Sequence, residues 1–396
     1  MSKLLLSCDE YIYEYSGSYY APSQEWYDFY QRYLRVFDGL RLVTRCKRED
    51  ELKSSRIPLA KDPRIEYVPL PFFQGPKEYA KLYFEYNKII KEVVNGCDAA
   101  ILRLPWTIAP RIHKKIKSLG IPYACEVVFD AEDAWKSTHG IERFLWKKVD
   151  KDMRKICAGA DGVSCVTEHY LQKHYYSLKK SAFTSSYSSL ALPSTFYESP
   201  KKFINKTQFI IAHVANQVEY QGRKGHNETI RALSFLKSHG FNVSARFAGK
   251  DYNGGVKQLQ KMADDLGVLD RVDFVGYLSR EDLSHFLSSA DLYIMPTRAE
   301  GLPRVIIEAM AKGLPCITTP VSGNTELIEE KFLVSYEDVI QLAEKIKELL
   351  TNKQLYEETS RKNFERSRRY EAYLLQDKRD AFYEELKRRI NPLIGK

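Results

Sequence analysis

The sequence predicts an α/β protein built from two doubly wound parallel-sheet domains facing a cleft. Three observations predict it. Short apolar runs of four to seven residues alternate with longer amphipathic stretches along the whole chain, the pattern of parallel strands joined by helices that cover both sheet faces. The length, 396 residues, is long for one domain and natural for two. A polar segment, "YESPKKFINKTQ" (197–208), interrupts the alternation near the middle and reads as a linker.

In chain order, the first half is expected to hold strands at 3–8, 40–44, 65–68, 99–102, 123–129 and 162–166. Between and after them lie helical patterns at 24–37, 79–94, 108–118, 141–157 and 168–176. The second half repeats the rhythm, with strands at 209–215, 243–248, 272–275, 292–295, 316–319 and 332–334. Its helices are expected at 227–238, 256–266, 281–289, 303–312, 325–330 and 337–350. This gives a first domain at 1–200, a second at 201–365, and a terminal helical segment at 366–396. The tyrosines and leucines of that segment suit packing on a sheet face or on the first domain.

Composition narrows the function. No run of about 18 apolar residues exists to span a membrane, and the apolar run near the start is too short for a signal peptide. The seven cysteines, Cys8, Cys46, Cys97, Cys125, Cys157, Cys165 and Cys316, form no CxxC pair and fit a reduced cytoplasm as small core residues. The net charge of +9 is spread along the chain: 30 basic against 25 acidic residues in 1–200, and 31 against 27 in 201–396. With no basic tail or stripe, nucleic acid is not expected as a partner. A GxGxxG turn, a P-loop and an HExxH helix are all missing, which argues against a dinucleotide oxidoreductase, a P-loop kinase and a zinc hydrolase. No metal site is expected. His169 and His174 are wrongly spaced for one helix face.

The stretch that carries chemistry is "TRAEGLPRVIIEAMAKGLPCITTPVSG", 297–323. A strand, "DLYIM", precedes it. The loop "PTRAEGL" then lies at the strand's carboxyl end. Pro303 can open the following helix and Gly313 close it, and Pro315 prevents continuation. "CITT" is the next strand and "PVSGN" its loop. Both loops therefore share the sheet edge where α/β ligands bind, and the helix start offers an anion site. Glu308 sits among apolar neighbours, where an unpaired carboxylate costs several kcal/mol at least. Together with Glu300 in the loop it brackets that anion site. Carboxylates accept hydrogen bonds from hydroxyls, so the arrangement suits a sugar joined to a diphosphate.

The run "EGLPRVIIEAMAKGLPCITTPVSGNTELI" resembles the signature of retaining glycosyltransferases of family 4, within the glycosyl transferases group 1, which have the GT-B fold of two Rossmann-like domains. "GRKGHNETIRAL", "RFAGKD" and "RVDFVGYLSREDLSHFLSSADLYIMPT" follow the family's order. The resemblance covers nearly all of 208–350 by motif and the first half by layout. It implies that Glu300 contacts the donor sugar's hydroxyls and Glu308 the ribose. The N–H groups around Gly301, Leu302, Arg304 and Val305 would face sugar and phosphate. Lys224, with Arg223, would neutralise the diphosphate. Ser322 and Gly323 stand where a Gly-Gly pair is frequent, and Gly276 and Tyr277 where the base would lie. Pro303 departs from a common glycine, and Asn216, Gln217 and Val218 stand where another Arg is usual.

On the acceptor side the family's histidine is missing. Glu126, Asp130 and His139 are the polar candidates, with Asp130 the preferred catalytic one, and the glycine loop after the first strand is reduced to Gly17. The implied reaction is metal-independent, retaining transfer from a UDP- or GDP-sugar to a glycan or lipid-linked glycan, with no cofactor. It would serve surface polysaccharide assembly in the cytoplasm or at the inner face of the membrane. A non-catalytic nucleotide-sugar-binding subunit and a GT-B epimerase are the alternative readings. The aromatic segment 25–37, with Arg32 and Arg35, fits either a peripheral membrane contact or an amphipathic core helix.

Overall fold

The computed structural model describes residues 1–136 and 146–390. The chain divides into two units: residues 1–187 with the end of the chain from Gln376, and residues 188–375. The first crossing thus falls before the expected boundary at 200, and the second after the expected start of the terminal segment at 366.

Unit 1 contains β1 (Lys3–Tyr15), β2 (Ser18–Ala21), α1 (Gln24–Gln31), β3 (Gly39–Arg48), β4 (Ile57–Pro58) and β5 (Ile65–Leu70). It continues with α2 (Gly75–Lys81), α3 (Tyr83–Val93), β6 (Ala99–Leu104), α4 (Ala109–Leu119) and β7 (Tyr123–Val127). The helices α5 (Ala131–Lys136) and α6 (Trp146–Ala158) precede β8 (Gly162–Cys165) and β9 (Phe183–Ser186). Seven strands run parallel in the order β5-β3-β1-β6-β7-β8-β9. Leu4, Leu5 and Leu6 of β1 are all fully buried, as a strand covered on both faces requires.

β1 runs well past residue 8. A register shift between Ser7 and Tyr11 bends it, and its second half pairs antiparallel with β2. Ser16 and Gly17, both at positive φ (49° and 77°), form the two-residue connection, the conformation that suits tight hairpins. Gly17 is therefore a hairpin tip and not a glycine loop leading into a helix.

One core joins Leu5, Leu102 and Cys125 to Tyr86, Ile112 and Ile156, so α3, α4 and α6 cover one face of the sheet. The segment 25–37 is a core element. Tyr27, Phe29, Tyr30, Tyr33, Leu34 and Phe37 are buried, which leaves no aromatic face for a membrane. Two expected helices are shorter: 79–94 breaks at Leu82 between α2 and α3, and 168–176 reduces to one 3₁₀ turn, Leu171–Lys173.

Unit 2 is the simpler winding. Its strands are β10 (Phe209–Gln217), β11 (Val243–Lys250), β12 (Val272–Gly276), β13 (Leu292–Met295) and β14 (Cys316–Thr318). They run parallel in the order β12-β11-β10-β13-β14. The helices are α7 (His226–Ser238), α8 (Gly255–Asp265), α9 (Arg280–Ser288), α10 (Arg304–Ala311), α11 (Asn324–Leu327), α12 (Val339–Thr351) and α13 (Lys353–Ser367). The expected strand at 332–334 is a 3₁₀ turn followed by a single bridge from Leu333 to Thr318. The segment 197–208 is no free linker. Lys201 N donates to Ser360 Oγ (2.6 Å) and Phe203 N to Glu357 (3.2 Å), both on α13, so it straps unit 2.

The last helix, α14 (Ala372–Arg388), enters unit 1 from Gln376. Phe382 packs edge-on against Phe183 of β9 and against Tyr187. Tyr383 meets Tyr33 at 5.0 Å between ring centroids.

Candidate functional site

In unit 2 the winding reverses direction between β10 and β13, and doubly wound sheets bind ligands beyond the carboxyl ends of strands at such a switch point. The loops leaving these two strands supply Lys224 and Glu300, whose ammonium and carboxylate form an ion pair. The pair is built by the backbone around it. Arg298 N donates to Arg223 O at 2.8 Å, and Thr297 Oγ1 donates to the same carbonyl at 3.2 Å. Gly225, at φ 78°, lets the two loops meet; a Cβ there would lie 2.0 Å from Pro296 O. A third loop closes in after β14. Gly323 N donates to Gly301 O at 2.9 Å, and a Cβ on Gly323 would sit 2.5 Å from that oxygen.

The helix α10 starts beside these loops. Pro303 occupies its N-cap, one position earlier than expected, and no side chain caps it. Ile306 N donates to Pro303 O at 3.2 Å within the first turn, and the partial positive charge of such a start favours an anion. Gly313, at φ 70°, ends the helix as expected. Glu308 is half-buried on α10 while its neighbours Ile306, Ile307, Ala309 and Met310 are fully buried. Tyr293 of β13 lies beneath. Burial foremost, then Cys316 and the charges of Glu300 and Glu308, hold its hydroxyl well above the usual range. Both carboxylates therefore act on one buried hydroxyl of β13.

Ser322 is bent to φ 40° and is 2% exposed, with no partner for its hydroxyl. Arg223 contributes its carbonyl to the site while its side chain is exposed. Leu302 is buried, and Arg304 is exposed at the helix start. Gly276, at φ 77°, ends β12, and Tyr277 beside it is exposed, with Lys250 Nζ 4.5 Å over its ring. These two lie at the same sheet edge, two strands from β10.

Two imidazoles were not singled out in the sequence. The rings of His213 and His226 lie 4.6 Å apart between centroids at a tilt of 36°, fully buried. Burial, then the charge of Lys224, pushes His226 down to about 4; burial with His226 and Lys224 pushes His213 well below its usual value. The bed under Lys224 is therefore uncharged at neutral pH.

Unit 1 changes the acceptor-side picture. Glu126 is buried, and its two oxygens accept four hydrogen bonds. Tyr33 OH (2.8 Å) and Arg103 Nη1 (2.9 Å) donate to one, Tyr187 OH (3.0 Å) and Tyr383 OH (2.8 Å) to the other. With every lone pair engaged, it anchors α14 and leaves nothing for an acceptor. Asp130 is occupied as well. Its Oδ1 caps α5 by accepting from Glu132 N (2.8 Å) and Asp133 N (3.3 Å), and Tyr175 OH lies 3.2 Å from Oδ2. His139 lies outside the described residues.

What stands at the unit 1 switch point, between β1 and β6, is Asp9. It pairs with Arg45, whose guanidinium is held between the rings of Tyr11 (4.5 Å) and Phe73 (4.6 Å). Half of the Asp9 side chain is exposed, and desolvation of its inner part pushes the carboxyl up to about 6, against the pull of Arg45 and of the nearby Trp106. The Trp106 N–H, just past β6, is buried without a full hydrogen bond. Sequence reading missed this group because β1 was ended at residue 8. The pair "DE" directly after "LLLSC" was the available signal.

Comparison with known proteins fits this geometry. The family model described as "Glycosyl transferases group 1" matches residues 196–366, which contain every unit 2 residue named above. Over those residues the chain is similar to the group 1 glycosyltransferases. The chain is 26% identical to Protein CapJ of Staphylococcus aureus over 398 residues, covering 98% of this chain and 97% of CapJ. It is 31% identical over 185 residues to the Vi polysaccharide biosynthesis protein VipC/TviE of Salmonella typhi, covering 44% of this chain and 31% of that relative. Among solved structures, HepE of Anabaena in complex with UDP superposes with a TM-score of 0.67 at 16% identity, covering 95% of this chain and 98% of that one. The fold is thus GT-B, with two Rossmann-like parallel-sheet domains.

Proposed function

We propose that this protein transfers a sugar from a nucleotide-diphosphate sugar to a glycan or lipid-linked glycan during surface polysaccharide biosynthesis. The observation that carries the reading is the Lys224–Glu300 pair at the unit 2 switch point, beside the uncapped start of α10. Lys224 and the helix start supply positive charge where the leaving nucleoside diphosphate becomes negative. Preorganised donors of this kind typically contribute about 3–4 kcal/mol each to the rate. Glu300 accepts from the sugar's hydroxyls and Glu308 from the ribose.

In the retaining course, the bond between the anomeric carbon and the phosphate oxygen breaks, and the acceptor oxygen bonds on the same face. The leaving phosphate oxygen takes the acceptor's proton, so no strong protein base and no metal are required. On the acceptor side, Asp9 accepts a hydrogen bond from an acceptor hydroxyl, with the rings of Tyr11 and Phe73 beside it. The Vi polysaccharide relative and the UDP held by the HepE structure support the pathway and the donor class.

The test is a thermal-shift panel of UDP, GDP, ADP, CMP and their sugars, with EDTA present. A ligand at 100 times its Kd adds roughly 2.7 kcal/mol, a readable shift. One nucleotide should stabilise the protein, and Glu308→Ala should remove the shift. No shift with any nucleotide, or a shift that needs a divalent metal, contradicts the reading.

A further inference from the structure

The charge that looks evenly spread along the chain is concentrated in space. Helices α2, α3, α4 and α6, which cover one face of the unit 1 sheet, hold thirteen Lys and Arg against five Asp and Glu. That excess of eight compares with +9 for the whole protein. The short α5 beside them adds only Glu132 and Asp133 to the described acids. The elements of the other face carry no such excess: α14 holds four bases and four acids, and α1 two acids and no base.

Most of these cations are unspent. Lys77, Lys81, Lys88, Lys91, Lys114 and Lys117 are exposed and make no ion pair among the described residues. Among the described residues only Lys148 and Arg154 are paired within the layer, with Asp152 and Asp150. An apolar feature accompanies them. Phe84 at the start of α3 is 83% exposed, with the half-exposed Tyr83 against it at 5.5 Å. Arg111 of α4 lies 4.2 Å over the Tyr83 ring and fixes it.

From this juxtaposition we propose that the α2–α3–α4–α6 face of unit 1 docks on an anionic lipid bilayer, with Phe84 entering the headgroup layer. The chemistry favours a bilayer over nucleic acid. Eleven of the thirteen cations are lysines, strongly hydrated point charges that extend their heads along a diffuse surface charge. Arginine's planar fork is the usual reader of individual phosphates, and both arginines here are engaged internally, Arg111 on Tyr79 and Tyr83 and Arg154 on Asp150. Juxtamembrane lysines gain from the negative leaflet potential within a Debye length. The inference deepens the lipid-linked acceptor part of the proposed function, but its charge argument does not use the donor site.

The experiment is co-sedimentation of the full chain with vesicles of phosphatidylglycerol and phosphatidylcholine (1:1) or phosphatidylcholine alone. The expected result is at least tenfold tighter binding to the anionic vesicles, lost when NaCl is raised to about 0.5 M. Lys114→Glu with Lys117→Glu should weaken binding at least tenfold, and Phe84→Ser several-fold. Both variants should keep the parent's melting temperature and its nucleotide-induced shift, which separates failure here from failure of the donor reading. Equal binding to both vesicle types, no binding, or anionic binding unchanged by the charge reversal overturns the proposal. So does capture of single-stranded RNA in preference to vesicles.

Discussion

Lys224 and Glu300 are an ion pair with only a small exposed part, and each is the other's counter-charge. In the proposed reading a diphosphate competes for the ammonium, and the freed carboxylate turns to the sugar. Lys224→Ala should lower kcat by about 100-fold or more, as loss of one transition-state donor does elsewhere; an unchanged kcat in steady-state assays sinks that role. Asp9 makes a pH prediction. With its carboxyl pushed up to about 6, the anion proposed to bind the acceptor forms as pH rises through that value. The acid limb of kcat/KM for acceptor should therefore lie near pH 6 and flatten in Asp9→Asn, while donor binding is kept. His226 makes another. Its folded pKa, about 4, lies below its ordinary 6.5, so the unfolded chain binds the extra proton and stability falls as pH drops from 6.5 towards 4. The loss is on the order of 3 kcal/mol for this fully buried group. Urea titrations of the parent and His226→Phe across that window should show the slope lessened in the variant.

At the scale of elements, the loops of the candidate site were legible because their punctuation is local. Pro303, Gly313 and Pro315 mark the limits of α10 within a dozen residues, and the two loops follow from counting strands. Gly225 shows the same logic from inside the fold. Gly225→Ala would press a methyl into Pro296 O and force φ 78° on a side chain. It should cost at least about 1–3 kcal/mol of strain and remove the nucleotide-induced shift, read by calorimetry with and without ligand. What was not legible depended on register. β1 reads as a short apolar strand, yet the shift after Ser7 carries it on to Tyr15, placing Asp9 at a sheet edge that the apolar pattern does not mark. Gly17 likewise reads as the remainder of a glycine loop after the first strand until the pairing of Tyr15 with Ser18 shows a hairpin.

At the scale of the molecule, the sequence hides what is far apart in it. Glu126 reads as an acceptor-side residue because it is among the polar residues near the place of the family's missing histidine. Its four donors, Tyr33, Arg103, Tyr187 and Tyr383, lie 93, 23, 61 and 257 positions away. Tyr383→Phe should therefore lower stability by about 1.5–3 kcal/mol, the usual worth of a hydrogen bond to a buried charge, with the loss seen as a lower denaturant midpoint. The basic face was hidden in the same way, since strands and loops separate its four helices in the sequence. The two-domain α/β architecture was legible because strand–helix alternation is a repeated local signal. The most direct test of transfer itself follows a labelled sugar. The parent and Glu300→Gln would each be incubated with radiolabelled UDP- or GDP-sugars and membranes carrying lipid-linked acceptors. The account predicts label in lipid-linked glycan or polymer with the parent and at least a 100-fold loss with Glu300→Gln. Label released as free sugar, or equal incorporation by both proteins, would contradict it.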